Sequence, residues 1–354
     1  MPHSDSPTGL PTRTAVLVNT DFESRRAELD SDAPRGFEAD AAVLDTARAV
    51  RVAIESLGVE VEEIRISDSL RGLTEQLAHK RIGTVFNLIE SIDNDYGREW
   101  QVPALLDRHG LRYTGNGAEP LRLCRKKDSA RRVLQRAGVR VARGVVVRAA
   151  SELTPRRMRA LPFPCFVKPA RVDGSIGIDR DSVCVDAQAL TARVEHLARH
   201  LAGPYLVEEY LPGKEINVAL FPEPVAGFVV PTEIDFSVLA PELPRFVTYD
   251  SKWNPESPEY VTKSVPAELD TALRVEVERV ARTAFSALGG CSYGRVDMRL
   301  DIAGQPCVID VNPNNDLHPE AGLALAARSV GLSYDALIGS ILTRAHEAKH
   351  VTQR

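Results

Sequence analysis

The first third of the sequence alternates short apolar runs with helical patterns. The apolar run at 14–19 predicts a buried strand, and the pattern at 38–57 predicts a helix that ends at Gly58. The same order then repeats, with a strand at 59–66, a helix at 69–79, a strand at 83–90 and a helix at 99–109. Repeated strand–helix units predict a parallel sheet that is covered on both faces.

The middle of the chain has a different pattern. Helices are predicted at 127–137 and 187–201, and strands at 145–147, 163–170 and 182–185. This order favours an α+β unit over further parallel repeats.

The last third is richer in extended structure, beginning with the alternating segment at 215–221. The proline-rich span at 237–260 predicts a long loop, of a length that often serves as a lid. Further predictions are a helix at 268–288, two strands around a turn at 301–304, and helices at 321–330 and 334–346. We predict three units, which cover residues 1–120, 121–211 and 212–354.

Composition and charge narrow the class of protein. The 354 residues exceed the size at which a single core stops growing, and 44% hydrophobic with 26% charged residues is usual for a globular enzyme. There is no apolar run of bilayer length and no signal-peptide pattern at the start. The net charge of −5 gives no reason to expect a nucleic-acid partner. We therefore expect a cytoplasmic enzyme that acts on small molecules.

Cysteine and histidine residues offer little chemistry. The five cysteines form no CxxC pair, which indicates reduced and mostly buried thiols; they are Cys124, Cys165, Cys184, Cys291 and Cys307. His196 and His200 have a spacing that could chelate zinc on a helix. Since no third ligand is near in sequence, solvated histidines are the commoner explanation.

Two late strands carry oxygen-rich side chains. Asp310 and Asn312 are two apart on a strand and point to the same side, and Asp297 joins them if the two strands form a hairpin. Two carboxylates and an amide oxygen suit Mg²⁺. The alternative is a solvated acidic strand, but here the acid and the amide follow a buried apolar run.

A magnesium–nucleotide site would also need groups that bind phosphate. The glycine loop Asp173–Gly177 follows Lys168 on a strand and could hold phosphates, although an ordinary turn has the same composition. There is no Walker A motif, and the GNG at 115–117 is not a dinucleotide fingerprint.

The order of these segments resembles the ATP-grasp superfamily, and most closely D-alanine–D-alanine ligase and its relatives. The resemblance runs over about 85–346 and rests on KKDSARRVLQRAGV, FVKPARVDGSIGI, VEEYLPGKEINVAL, TYDSKW, YGRVDMRL and VIDVNPNNDLHPEAG. It implies an ATP-grasp fold of mixed α/β and α+β type, with an N-terminal parallel-sheet domain, a central lid domain and a C-terminal catalytic domain.

The resemblance also implies a role for particular residues. Arg295 resembles the arginine that stabilises the oxyanion, Ser175 lies in the mobile phosphate loop, and Lys252 resembles a further phosphate lysine. Asp297, Asp310 and Asn312 resemble the metal ligands. The implied nucleotide contacts are Lys127, Lys168, Asp173, Gly174, Ser175, Gly177, the adenine hinge Glu208, Glu209, Tyr210 and Leu211, the ribose acid Glu215, and Lys252.

The implied reaction is ATP-dependent joining of a carboxylate and an amine through an acyl phosphate. The implied cofactors are ATP and one or two Mg²⁺ ions, with Mn²⁺ as an alternative. The implied substrates are amino-acid-like. Related ligases are often dimers, which leaves a homodimer open, although no residue here demonstrates one.

Three departures bear on the substrates and the metal. Asp310 stands where the family usually has glutamate, which leaves the number of metal ions open. The glycine–serine–glutamate signature after the first strand is missing, so Glu23 or Glu38 is the candidate for binding the substrate ammonium group. Ala321 and Gly322 replace a serine–leucine pair that binds the second D-alanine.

Several functions remain open at this point. The sequence favours a ligase for substrates other than two D-alanines. The alternatives are D-alanine–D-alanine ligase itself, a phosphotransferase on the same fold that forms no amide, and a nucleotide-binding protein without catalysis.

Overall fold

The computed structural model describes residues 9–21, 37–222 and 227–348, apart from the side chains of residues 37–42. The strands are β1 (Arg13–Asn19), β2 (Glu60–Ile66), β3 (Thr84–Asn87), β4 (Arg112–Tyr113), β5 (Gly144–Val147), β6 (Cys165–Pro169), β7 (Val183–Cys184), β8 (Tyr205–Glu209), β9 (Glu215–Phe221), β10 (Phe228–Asp235), β11 (Lys263–Pro266), β12 (Gly294–Leu300) and β13 (Pro306–Asn312). The helices are α1 (Phe37–Ser56), α2 (Leu73–His79), α3 (Gln101–Arg108), α4 (Ala118–Cys124), α5 (Lys127–Arg136), α6 (Pro155–Arg159), α7 (Ala187–His200), α8 (Tyr249–Trp253), α9 (Thr271–Ala287), α10 (Gly322–Ser329) and α11 (Tyr334–Glu347).

The N-terminal sheet is parallel, in the order β2-β1-β3-β4. Leu17 and Val85 pack with α2 and α3 on one face. Val16 and Phe86 pack with α1 on the other face, in a core that also includes α10 and α11. The predicted parallel sheet with two covered faces is therefore confirmed, and its second face is the contact with the C-terminal part of the chain.

The central sheet is antiparallel, in the order β5-β8-β6-β7, and α7 packs on it through Leu190, Val194 and Leu197. The expected change from parallel units to an α+β unit is confirmed. The prediction of three units separated at 121 and 212 stays a prediction, although each sheet lies within one of them.

The C-terminal sheet is antiparallel, in the order β11-β10-β9-β12-β13. Because successive strand residues face opposite sides, Val296, Met298 and Leu300 pack against α9 in one apolar core. Arg295 and Asp297 face the other side of the sheet, towards the central sheet.

A bulge interrupts the pairing of β12 with β13. Asp297 lies opposite Asp310, whereas Met298 lies opposite Val308, so Ile309 is an extra residue in β13. A bulge turns consecutive residues away from strict alternation. Ile309 and Asp310 therefore both face the space between the two antiparallel sheets.

The structure corrects several predictions of detail. The span 237–260 is not loop throughout, because α8 lies within it, begun by a capping box at Thr248. The helix expected from residue 69 begins at Leu73, after Gly72 with φ 76°, and the strand expected to reach residue 90 ends at Asn87. Four of the five cysteines are free and buried, as expected, and Cys291 is free and exposed. No helix in the described ranges is long and apolar enough to cross a membrane.

Close packing at the start of β12 gives a test of the fold. A Cβ on Gly294 would lie 2.3 Å from Cε2 of the Phe285 ring and 3.0 Å from the Asn312 carbonyl oxygen. Gly294→Ala should therefore lower the free energy of unfolding by about 1–3 kcal/mol, measured by urea denaturation. The matched control is Gly83→Ala, where an added Cβ meets nothing within 4 Å. Equal stability of the two variants would contradict this packing.

Candidate active site

A cavity of about 340 Å³ lies between the central and C-terminal sheets. Its walls come from β6, β8, β9, β12 and β13, and it is bordered by the glycine loop at 173–177 and by α8. Most of the residues to which the sequence assigned a nucleotide or metal role line this one cavity, from positions far apart in the chain.

Each of two cavity lysines is paired with an acid. Lys127 donates to the Asp173 carboxylate, and its Nζ lies 3.7 Å from an Asp310 oxygen. Lys168 Nζ lies 3.0 Å from Glu208 Oε2 and donates to the Ile309 carbonyl at 3.0 Å. Burial opposes the charge of Lys127, but the two neighbouring carboxylates raise its pKa above the ordinary value. The neighbouring carboxylates therefore hold Lys127 as a cation in the wall of the cavity.

Asp297 and Asp310 face each other across β12 and β13. Both oxygens of Asp297 accept from Arg295, at 2.6 Å from Nε and 2.8 Å from Nη2, and the Asp297 charge raises the pKa of Arg295. The pKa of Asp310 is raised because burial disfavours its charge, and Lys127 offsets part of that effect. The predicted metal acids and the predicted oxyanion arginine thus lie together.

The set of oxygen donors fits a hard cation such as Mg²⁺. Besides the two aspartates, Asn217 on β9 lies opposite Asp297, and its Oδ1 is buried with no hydrogen-bond partner among the described residues. Asn312 lies at the end of β13, but its Oδ1 accepts from the Asn314 backbone at 2.8 Å and it does not line the cavity. Its part as a ligand stays a prediction.

Nitrogen and sulfur ligands play no part in this donor set. Within the ranges that the structure describes, no group of three or more His, Cys, Asp or Glu side chains is arranged to hold a metal. His196 and His200 pack ring to ring, with centroids 5.0 Å apart. Both histidines are exposed on α7.

In the hinge segment, one backbone N–H group makes no hydrogen bond to another described residue. The N–H groups of Glu209 and Tyr210 donate to the carbonyls of Arg143 and Pro164, at 2.8 and 3.0 Å. The Glu208 carboxylate is taken by Lys168 and Arg131. Leu211 N–H, by contrast, makes no hydrogen bond within the described part of the chain. If adenine binds the hinge, Leu211 is the amide that is open to it.

Glu215 is buried on the cavity wall and forms an ion pair with Arg299. Arg299 was not among the residues predicted from the sequence. Arg299 donates to Glu215 Oε2 at 2.8 Å and to the Leu211 carbonyl at 2.9 Å. Burial raises the pKa of Glu215, and Arg299 counters that shift. Arg299 thus connects the predicted ribose acid to the hinge. Its spacing of two residues from Asp297 on one strand was the signal that could have identified it.

The glycine loop contacts α8. Trp253 Nε1 donates to the Gly174 carbonyl at 2.8 Å, and the Tyr249 N–H donates to the Ile178 carbonyl at 2.9 Å. Gly174, Ser175 and Gly177 all have positive φ, at 67°, 61° and 75°. Ser175 is not a glycine, and such a conformation persists only where the surroundings hold it. Lys252, also on α8, lines the cavity with Nζ 5.0 Å from the Trp253 ring centroid.

The residue expected to bind an ammonium group is not located. Glu23 lies outside the described residues, and the side chain of Glu38 is likewise not described. The acid at the end of β1 is Asp21, which is buried and accepts from Asn19, Ser91 and the Asn94 backbone. Ala321 caps α10 without a side-chain hydrogen bond, as its lack of a hydroxyl requires.

Comparison with known proteins gives a consistent result. A family model described as "D-ala D-ala ligase C-terminus" matches residues 133–343, which is more than half of the chain. The protein y4sG of Sinorhizobium fredii, described as uncharacterised, is 32% identical and covers 75% of each chain. The D-alanine–D-alanine ligase of Syntrophotalea carbinolica is 30% identical, over 85% of this chain and 90% of that protein.

Solved structures have the same fold. The D-alanine–D-alanine ligase from Bacillus anthracis complexed with ATP superposes with a TM-score of 0.70 at 19% identity, covering 95% of this chain and 97% of that one. The VanG D-Ala:D-Ser ligase from Enterococcus faecalis gives a TM-score of 0.70 at 20% identity, covering 94% and 98%. The ATP-grasp fold expected from the sequence is therefore confirmed.

Glu99 gives a pH-dependent test of this region. Its carboxylate accepts from Asn314 Nδ2 at 3.0 Å, and burial raises its pKa to about 8, with Arg125 opposing and Asp173 and Glu90 adding to the shift. A raised pKa means that the folded state favours the protonated acid. Its contribution to stability is complete below the ordinary pKa near 4.5 and is lost as the pH rises to about 8.

Glu99→Gln should remove that loss, because the amide stays neutral. The free energy of unfolding of the variant, relative to wild type, should rise between pH 5 and pH 8 by up to about 1.4 kcal/mol per pH unit, measured by urea denaturation. Exposed Glu256→Gln serves as the control. Parallel pH profiles for wild type and Glu99→Gln would count against a neutral acid at this position.

Proposed function

The chain belongs to the D-alanine–D-alanine ligase family of ATP-grasp carbon–nitrogen ligases, and on that premise we propose that its cavity uses ATP and Mg²⁺ to activate a carboxylate. The activated acid is then joined to an amine. The observation that supports this proposal is that basic side chains and carboxylates line the same cavity. They are Lys127, Lys168, Arg295, Asp297 and Asp310.

The first step transfers the γ-phosphoryl group of ATP to a carboxylate oxygen, which yields an acyl phosphate and ADP. This step brings anions together, so cations must neutralise them. Lys127, Lys168 and Lys252 line the cavity and are the groups that would do so. Magnesium, when bound by Asp297 and Asp310, would neutralise charge on the phosphates.

The second step forms the amide. The amine nitrogen attacks the carbonyl carbon of the acyl phosphate, the tetrahedral intermediate collapses, phosphate leaves with the electrons of the C–O bond, and the nitrogen loses a proton. Arg295 is the donor for the developing oxyanion, and it reaches that role by leaving Asp297. The glycine loop and α8 would exclude water that could hydrolyse the acyl phosphate.

The substrates are amino-acid-like but are not two D-alanines. Ala321 offers no hydroxyl at the position where the resemblance places a donor for the carboxylate of the second D-alanine. A second candidate is D-alanine–D-alanine ligase activity, which is favoured by relatives of that name at 28–30% identity.

Loss of either metal acid should abolish turnover and leave the fold intact. Asp297→Ala and Asp310→Ala should each lower ADP release at least about 100-fold, because the phosphates lose their counter-charge. Exposed Asp68→Asn is the control. Far-ultraviolet circular dichroism checks the fold. Normal ADP release by both alanine variants would remove these residues from the site.

Arg295→Met should lower amide formation by about 100- to 1000-fold, the usual effect of losing one oxyanion donor. Nucleotide binding, measured by calorimetry, should remain detectable. Unchanged amide formation would reject the oxyanion role.

Trapping separates ligase from phosphotransferase. With ATP and the acid substrate, hydroxylamine should give a hydroxamate, because it attacks the acyl phosphate. A phosphorylated product that persists in hydroxylamine would instead indicate a phosphotransferase. The acid and amine are found by an ADP-release screen over pairs of amino acids and amines, with D-alanine alone as one arm and products identified by mass. Efficient D-alanyl-D-alanine formation would favour the second candidate.

A further inference from the structure

Asn217 is a polar residue on the cavity wall, and the reaction proposed above assigns no role to it. It is the third residue of β9, two positions after Glu215 and on the same face. Along the sheet it lies directly opposite Asp297, which in turn lies opposite Asp310. Three oxygen-bearing side chains thus form a row across three neighbouring strands, all facing the cavity.

The side-chain oxygen of Asn217 is buried and accepts no hydrogen bond from the described residues. Buried polar atoms in native structures nearly always have a partner, and an unpaired one destabilises the fold. The neighbouring β9 residues Ile216 and Val218 are apolar and pack in the core on the other face of the sheet. An unpaired amide at this place is therefore explained best by a partner that arrives with a ligand.

A metal ion is the partner that suits this atom. An amide oxygen is a normal ligand for Mg²⁺, whereas a further carboxylate would stand beside Asp297, Glu215 and Asp310 and repel them. A neutral oxygen donor avoids that repulsion in the ligand-free protein. Asn217 also supplies an oxygen from the side of Asp297 that lies away from Asp310. The side chain of Asp310 is short for a ligand that bridges two metal ions.

We propose that Asn217 is a further magnesium ligand, which extends the metal site from β12 and β13 to β9. This inference rests on the proposed function, because it assumes that the cavity binds a metal–nucleotide complex. The bound ion would then be held from three strands, and the oxygen of Asn217 would gain the partner that no described residue provides.

The test measures Mn²⁺ binding by electron paramagnetic resonance, with and without the non-hydrolysable β,γ-imido analogue of ATP. The variants are Asn217→Leu, which keeps the volume without the oxygen, and Asn217→Asp, which keeps an oxygen. Asn254→Ala is the matched control, since the oxygen of Asn254 already accepts from the Glu256 backbone at 3.2 Å. Thermal unfolding of the ligand-free variants is measured in parallel.

Asn217→Leu should weaken Mn²⁺ binding by about 10-fold or more, since even groups that only support metal ligands have effects of that size. Its Tm without ligand should be no lower than that of wild type, because an unpaired buried acceptor has been removed. Asn217→Asp should hold Mn²⁺ at least as tightly as wild type, and Asn254→Ala should behave as wild type.

Two results would overturn the inference. One is Mn²⁺ binding by Asn217→Leu that is unchanged while wild type binds the ion. The other is that Asn217→Leu binds the nucleotide analogue more weakly in EDTA, where no metal ion is free, by a factor as large as its loss of Mn²⁺ binding. That result would mean that Asn217 contacts a phosphate group and not the metal ion. If wild type binds neither Mn²⁺ nor the analogue, the proposed function fails, and that outcome is distinct from either of these.

Discussion

Mutual neutralisation of charged side chains is the constraint on which this cavity depends. Arg295 holds Asp297, Lys127 holds Asp173, Lys168 holds Glu208, and Arg299 holds Glu215. Where both side chains are buried, as in Lys168–Glu208 and Arg299–Glu215, removing one member leaves an uncompensated charge, which is strongly destabilising. The Arg295 side chain is 30% exposed, so water can solvate it when Asp297 is lost. The cavity therefore carries its charged side chains mainly as pairs.

The same pairs explain how the cavity could act on a nucleotide. A phosphate chain needs cations and a metal ion needs anions, and the pairs supply both once their members exchange partners. Asp297 and Arg295 illustrate the exchange, because an ion on the carboxylate would free the guanidinium for the reacting carbonyl. In this interpretation the only charges brought into the cavity are those of the metal ion and the substrates.

The sheets place these pairs by simple alternation, with one exception. Glu215 and Asn217 on β9 and Arg295, Asp297 and Arg299 on β12 face the cavity, and the residues between them pack in the core with α9. On β13 the bulge at Ile309 adds one residue and brings Asp310 to the level of Asp297. Without it, Ile309 and Asp310 would face opposite sides, and the two aspartates could not share an ion.

Much of this could be predicted from the sequence, because strand alternation and glycine-ended helices are local signals. The parallel first sheet, the late hairpin and the convergence of Lys168 with Asp297 followed from such signals and from the order of the motifs. Asn217 and Arg299 were missed, although each lies two residues from a predicted site residue. Their importance comes from pairing across strands, which no single segment records. The bulge and the helix α8 inside a proline-rich span depend on the same non-local contacts.

The central claim is that this cavity activates a carboxylate by phosphorylation, and isotope transfer tests it most directly. The acid substrate is labelled with ¹⁸O in both carboxylate oxygens and turned over with ATP and the amine. If an acyl phosphate forms, one labelled oxygen leaves with each inorganic phosphate, and mass spectrometry of the phosphate should show it. Amide formation with unlabelled phosphate would contradict the account, because the bond would then have formed without phosphorylation of the acid.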